Sequence, residues 1–150
     1  MPESGRAVER RRRIHDLLDA GAGACVLADP ACAHIVQESL LFGDGERYRL
    51  LAWVVMPNHV HALIEQADWS LARIVQSWKR HTARTIRMGT GDDAPGLWAR
   101  EYWDRFIRDE RHFLTTRAYI EQNPVKAGLV QDATAWPWGH LGWRRLRPED

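Results

Sequence analysis

Val54-Val55-Met56-Pro57-Asn58-His59-Val60-His61-Ala62-Leu63-Ile64 is the stretch on which the reading of this chain turns. Two apolar runs flank Met56-Pro57-Asn58, so the segment reads as two strands joined by a turn. Side chains alternate along a strand, which puts His59 and His61 on one face and Val60 on the other. Two imidazoles side by side on a rigid strand can hold one divalent metal ion. The pattern alone is weak in a chain with seven histidines, so its value depends on what surrounds it.

Outward from this hairpin, Arg47 to Val55 is rich in Leu, Val, Tyr and Trp and pairs antiparallel with His59 to Gln66, although Pro57-Asn58 is not a two-residue Asn-Gly turn. Asp68 or Ser70 caps a helix over 70–88, whose apolar stripe is Leu71, Ile74, Val75, Trp78, Thr82 and Thr85. Upstream, Asp29-Pro30 starts a helix that runs to about Phe42 and ends at Gly43. Residues 24–28 are a short apolar piece, read as a strand. Residues 8–20 read as a helix with Ile14, Leu17 and Leu18 on its apolar side and Gly21 past its end. Downstream, Gly89 to Gly96 is a loop, Tyr102 to Arg108 a strand, and Asp109 caps a helix from about Glu110 to Gln122. That helix is expected to stop at Asn123-Pro124, since proline disfavours helix in the residue before it.

A chain of 150 residues, 45% apolar and 27% charged, suits one soluble domain over 1–150, with 1–7 and 141–150 flexible. No apolar run reaches membrane-span length and the Arg-rich start is not a signal peptide, so the expected location is cytoplasmic. Cys25 and Cys32, seven apart, give neither a disulfide framework nor a zinc spacing. Net charge is only +1, yet the arginines cluster. Arg73, Lys79, Arg80, Arg84 and Arg87 lie in one segment, and Arg105 and Arg108 follow. With eight tryptophans interleaved, these seven cations are the candidate DNA contacts, because single-stranded nucleic acid stacks its bases and pairs its phosphates. The bland alternative makes the tryptophans core anchors and the arginines a solvated face.

Tyr119 and Asn123 are four apart and so share a helix face. A tyrosine hydroxyl attacks a phosphodiester when a metal neutralises the phosphate. An Asn123 amide oxygen beside two imidazoles suits magnesium or manganese. His59, His61, Asn123 and Tyr119 thus form one coherent device for metal-assisted cleavage of a DNA strand. Against it, Tyr119 also reads as a packing residue and Asn123 as a simple helix stop.

The run Ala52-Trp53-Val54-Val55-Met56-Pro57-Asn58-His59-Val60-His61 resembles the metal-binding segment of the HUH-class tyrosine transposases, above all the REP-associated ones. Ser77-Trp78-Lys79, Gly96-Leu97-Trp98, Glu101-Tyr102-Trp103-Asp104-Arg105 and Ile107-Arg108-Asp109-Glu110 follow in that family's order. So do Tyr119-Ile120-Glu121-Gln122-Asn123-Pro124-Val125-Lys126-Ala127-Gly128-Leu129-Val130 and Trp136-Pro137-Trp138, and the likeness spans roughly residues 10 to 140. The resemblance implies a ferredoxin-like α+β fold, an antiparallel sheet with packed helices and the catalytic tyrosine on a late helix. It implies that His59 and His61 hold a divalent metal, Mg or Mn, with Asn123 as an amide-type third ligand. Tyr119 would be the nucleophile that keeps the 5′ phosphate of cleaved single-stranded hairpin DNA, the protein acting as monomer or homodimer. Relatives open with a strand reading like Val-Thr-Phe-Arg, and nothing of that kind precedes residue 8. The sheet is therefore expected to lack its first strand, or to fill the place with Ala24 to Leu27. A relative that binds hairpin DNA without cutting is the rival reading on that ground. A histidine-triad nucleotide hydrolase needs His-x-His-x-His, which Leu63 breaks, and a metal-dependent hydrolase would need further Asp or His ligands that the sequence does not cluster.

Overall fold

The computed structural model describes residues 12–21, 25–90 and 96–147. Its sheet strands are β1 (Arg13–Ala20), β2 (Tyr48–Val55), β3 (His59–Gln66) and β4 (Trp98–Phe106). The helices are α1 (Pro30–Phe42), α2 (Leu71–Thr90), α3 (Glu110–Lys126) and α4 (His140–Leu146), with short 3-10 turns at Val26–Ala28 and Ala133–Ala135. The four strands are antiparallel in the order β2-β3-β1-β4. With the chain order βαββαβ this is the ferredoxin-like arrangement.

The first strand is present, which corrects the expectation of a sheet without one. Arg13–Ala20 was expected to be helical, and instead it fills the centre of the sheet between β3 and β4. Ile14, Asp16, Leu18 and Ala20 are the inward positions of an alternating strand. Asp16 puts a charge where the period-two pattern calls for an apolar residue, and Leu17 next to Leu18 then imitates a helix face. Tertiary pairing decides between the two, because a central strand satisfies its backbone groups on both sides. The segment read as a strand at 24–28 holds a 3-10 turn at Val26–Ala28 instead. Residues 1–7 lie outside the described residues.

One face of the sheet carries α1 and α2. Ile14, Leu18, Val60, Ala62 and Ile64 meet Val36, Leu40, Ile74, Val75 and Trp78 there in the main core. Asp29 caps α1 by accepting from the Ala31 amide at 2.9 Å. The opposite face carries α3, whose Phe113 and Ile120 pack on Ala52, Val54, Met56 and Leu63. Asp109 caps α3 at the His112 amide, and Glu110 in its first turn binds Arg13 of β1 at 2.9 Å.

Element boundaries differ from expectation, beginning with β4, expected over Tyr102 to Arg108 and found at Trp98–Phe106. Helix α3 does not stop at Asn123 but runs through Pro124 to Lys126. Pro124 is buried beside Ile120, Trp136 and His140, and that packing outweighs the lost amide bond in the last turn. Residues 141–146, part of the 141–150 tail read as flexible, lie in helix α4 (His140–Leu146). The segment leading into it is fastened to β2: Val55 donates to the Trp138 carbonyl at 2.6 Å, and the Trp136 indole N–H donates to the Val55 carbonyl at 3.1 Å.

Candidate active site

The α3 face of the sheet places the imidazoles. Leu17 of β1 stands opposite His61 of β3, so His15, two residues along, lies diagonal to His61 on the same face. His59 and His61 have ring centroids 5.0 Å apart and perpendicular planes. His61 is 4% exposed, and its Nδ1 lies 2.8 Å from His15 Nε2. The His59 Nδ1 hydrogen-bonds Asn58 Oδ1 at 2.7 Å.

Tyr119 of α3 stands edge-on to His61, ring centroids 5.4 Å apart at 90°. The two rings line one cleft between β4 and α3, about 560 Å³ in volume, together with His15, Trp103, Arg105 and His112. Tyr119 is 46% exposed, open to a substrate rather than sealed in the core. The Lys126 ammonium lies 5.6 Å from its ring.

Burial holds the imidazoles in their neutral form. The His61 pKa is pushed down to about 3, by desolvation first and then by His15 and His59. His15 is lowered to about 4 by burial, then by Arg105 and His112. His59 is lowered by burial, against the pull of Asp19. Neutral imidazoles keep one lone pair each, the form a metal ion requires. Asn58 Oδ1 can only accept, so His59 carries its proton on Nδ1 and leaves Nε2 free as a donor to a cation. His61 likewise has Nδ1 engaged and Nε2 remaining. This donor set fits a divalent metal at two positions. Among the described residues no three His, Cys, Asp or Glu side chains gather round one point. Further positions therefore fall to amide, water or phosphate oxygens.

The structure thus brings Tyr119 to the paired histidines. It leaves Asn123 a turn further along α3, half-buried, with no hydrogen bond from its side chain to either imidazole among the described residues. Of the candidate DNA contacts, Arg105 lines the cleft. Arg73, Arg80 and Arg84 line a shallow depression on the outer side of α2 with Trp69 and His81, and the Arg73 guanidinium lies 3.6 Å from the Trp69 ring centroid. Arg87 is exposed at the end of α2 and Arg108 is exposed before α3. Lys79 turns inward and donates to the Ala99 and Arg100 carbonyls at 2.9 and 3.4 Å. His15 and His112 went unnoticed in the sequence. A lone histidine in a segment read as helix has no partner to mark it, and only the strand register of β1 against β3 puts His15 beside His61.

A ferredoxin-like sheet with paired imidazoles and a tyrosine across them defines the class. The family model described as "Transposase IS200 like" matches residues 35–123, more than half of the chain, and the chain belongs to that family. It is 27% identical over 93 residues to the REP-associated tyrosine transposase of Escherichia coli, covering 61% of this chain and 53% of that protein. A Haemophilus influenzae protein provisionally given the same name is 25% identical over 101 residues, covering 61% of this chain and 57% of its own length. The chain therefore spans little more than half of these curated relatives. The solved structure of a REP-associated tyrosine transposase bound to a REP hairpin superposes with a TM-score of 0.71 at 19% identity, covering 92% of this chain and 81% of that one. At that identity the likeness establishes the fold.

Proposed function

We propose that this chain cuts and rejoins single-stranded hairpin DNA of the REP type through a 5′-phosphotyrosine at Tyr119. The observation that carries the reading is the Tyr119 ring set edge-on to His61, at the mouth of a cleft that Arg105 also lines. The Tyr119 oxygen attacks the scissile phosphorus, and a Tyr–O–P bond forms as the P–O3′ bond breaks. The phenol proton ends on the departing 3′ oxygen. The same number of phosphoester bonds exists before and after, so a 3′ hydroxyl reverses the step without an energy source. His59 and His61, with Asn123 as the amide ligand, would hold a divalent ion, Mg or Mn. When bound, that ion neutralises charge on the phosphate under attack. Arg105 offers a guanidinium to the adjoining backbone, and Trp103, 51% exposed, offers a face on which a base stacks.

The reading is supported by family membership, by relatives named as REP-associated tyrosine transposases, and by a neighbour whose structure holds a REP hairpin. The rival, a relative that grips hairpin DNA without cutting, rested on a missing first strand, and β1 removes that ground. The deciding experiment incubates the protein with a labelled single-stranded hairpin and manganese. A covalent adduct that survives denaturation and is absent in Tyr119→Phe is expected. An adduct that persists in that variant moves the nucleophile elsewhere, and no adduct in either leaves the binding-only protein. His59→Ala and His61→Ala are expected to abolish the adduct while hairpin retention on a filter stays within a few-fold.

A further inference from the structure

We infer that His15 is the positioning residue of this site: its Nε2 accepts the Nδ1 proton of His61 and so fixes the tautomer that leaves His61 Nε2 free for the metal. The inference rests on the metal reading above but turns on a separate observation, the 2.8 Å contact between β1 and β3.

A neutral imidazole carries one N–H, on Nδ1 or on Nε2. The His15–His61 contact therefore has two arrangements. In one, His15 Nε2–H donates to His61 Nδ1, and the His61 proton sits on Nε2, where it blocks a metal. In the other, His61 Nδ1–H donates to His15 Nε2, and His61 Nε2 keeps its lone pair. Only the second makes His61 a ligand beside His59.

One feature of the geometry favours the second arrangement and another permits it. First, His59 already shows the same device. Its Nδ1 donates to Asn58 Oδ1, an atom that can only accept, and its Nε2 is left over. The two neighbouring rings then present like nitrogens, each with a hydrogen-bond acceptor behind it. Second, His61 Nε2 is not sealed in the core. The unpartnered buried side-chain atoms among the described residues are the two Asp16 oxygens and Trp143 Nε1, and the His61 ring lines the open cleft. A lone pair there has somewhere to point. Metal-bound histidines ordinarily donate their second nitrogen to a carboxylate or carbonyl, which sets ring angle and tautomer. Here another imidazole, carried on the neighbouring strand, takes that place. His15 is well fixed for the task, because β1 is hydrogen-bonded on both edges.

The test compares wild type with His15→Phe and His15→Gln. Gln places an amide oxygen near the position of Nε2 and can still accept, whereas Phe keeps the ring and loses the acceptor. Long-range nitrogen–proton NMR correlations report the His61 tautomer in metal-free protein, and the EPR signal of free manganese reports affinity. The expected result is an Nδ1–H His61 in wild type and in the Gln variant, with an Nε2–H population appearing in the Phe variant. Manganese affinity is expected to fall roughly 10- to 100-fold in the Phe variant and to recover in the Gln variant. Circular dichroism and melting temperature confirm that all three are folded. An Nε2–H His61 in wild type overturns the inference, and so does a Phe variant that binds manganese like wild type or a Gln variant no better than Phe. If the tautomer pattern is as expected but wild type binds no manganese, the proton assignment stands and the metal reading of His59 and His61 falls.

Discussion

Asp16 shares β1 with His15 but faces the other side of the sheet, 1% exposed, with no donor in full hydrogen-bonding geometry to either carboxylate oxygen and only the weak pull of the neighbouring Leu17 amide. Its pKa is pushed up from the ordinary 3.8 to about 7, by burial first and by Asp104 opposite it on β4 second, while Lys79 and the Leu17 amide pull the other way. The sign of the linkage follows. Below about pH 3.8 both folded and unfolded chains carry the proton. Between 3.8 and about 7 the unfolded chain has released it and the folded chain retains it, so stability falls as pH rises. Above about 7 both are ionised and the loss is complete. Each unit of difference is worth about 1.36 kcal/mol, so the whole window amounts to a few kcal/mol. Asp16→Asn has no charge to bury. Relative to wild type it is expected to gain melting temperature steadily from pH 4 to pH 7 and to hold that gain above. Melting curves that run parallel across this range would show that Asp16 is solvated in the folded chain. The same carboxyl explains why β1 was illegible: a strand that buries an aspartate does not look like a strand.

At the scale of elements, the readable parts were those whose signals are local. Asp29-Pro30 and Asp109 announce their helices because capping is decided within a turn, and the β2–β3 hairpin shows in its own alternation. That His59 and His61 share one strand face was legible for the same reason, while the placing of the Tyr119 ring beside His61 was suggested by resemblance to a known motif and not by any local signal. What depended on distant partners was lost. β1 needed β3 and β4, α3 crosses Pro124 because Trp136 and His140 pack on it, and α4 needs the edge of β2. His140 shows how tightly that last element is held. It is 1% exposed, accepts from the Trp53 amide at 3.0 Å and lies 2.7 Å from Glu121 of α3. Gly142 makes the fit attainable, since a Cβ there would collide with the Trp136 carbonyl and come within 3.1 Å of Pro137 Cα. Gly142→Ala is therefore expected to prise α4 off the sheet, lowering the melting temperature by several degrees and speeding hydrogen exchange at the Trp53 and Val55 amides. Gly89→Ala is the contrast. It lies on α2 with nothing near the added methyl, and is expected to stabilise by roughly 0.5–1 kcal/mol. Equal effects from the two substitutions would mean that backbone entropy, not the Trp136 contact, governs both.

For the whole molecule, the two surfaces proposed to meet DNA lie on opposite faces of the sheet. The cleft with Tyr119 is on the α3 side, and the arginine stripe of α2 is on the other. A hairpin bound to both must pass round one sheet edge. The β2 edge is taken: Trp138 and Gly139 lie along it. Among the described residues no strand pairs with the outer edge of β4, where Arg100, Trp103 and Arg105 are exposed. We therefore expect the paired stem to lie on α2 and the unpaired strand to round β4 into the cleft. Arg73, Arg80 and Arg84 have no carboxylate within ion-pair distance among the described residues, so their charge is free for phosphates. Each phosphate contact on duplex contributes about 0.9 to the slope of log affinity against log salt. Replacing the three arginines by alanine is expected to flatten that slope by up to about 2.7 for hairpin DNA. Binding of an unpaired oligonucleotide should change little, and adduct yield at saturating hairpin should match wild type. Trp103→Ala should do the reverse, weakening the unpaired strand by about 1–3 kcal/mol while leaving the hairpin salt slope intact. If the triple variant weakens both DNAs alike, the stem does not lie on α2, and the strand must reach Tyr119 without crossing from one face to the other.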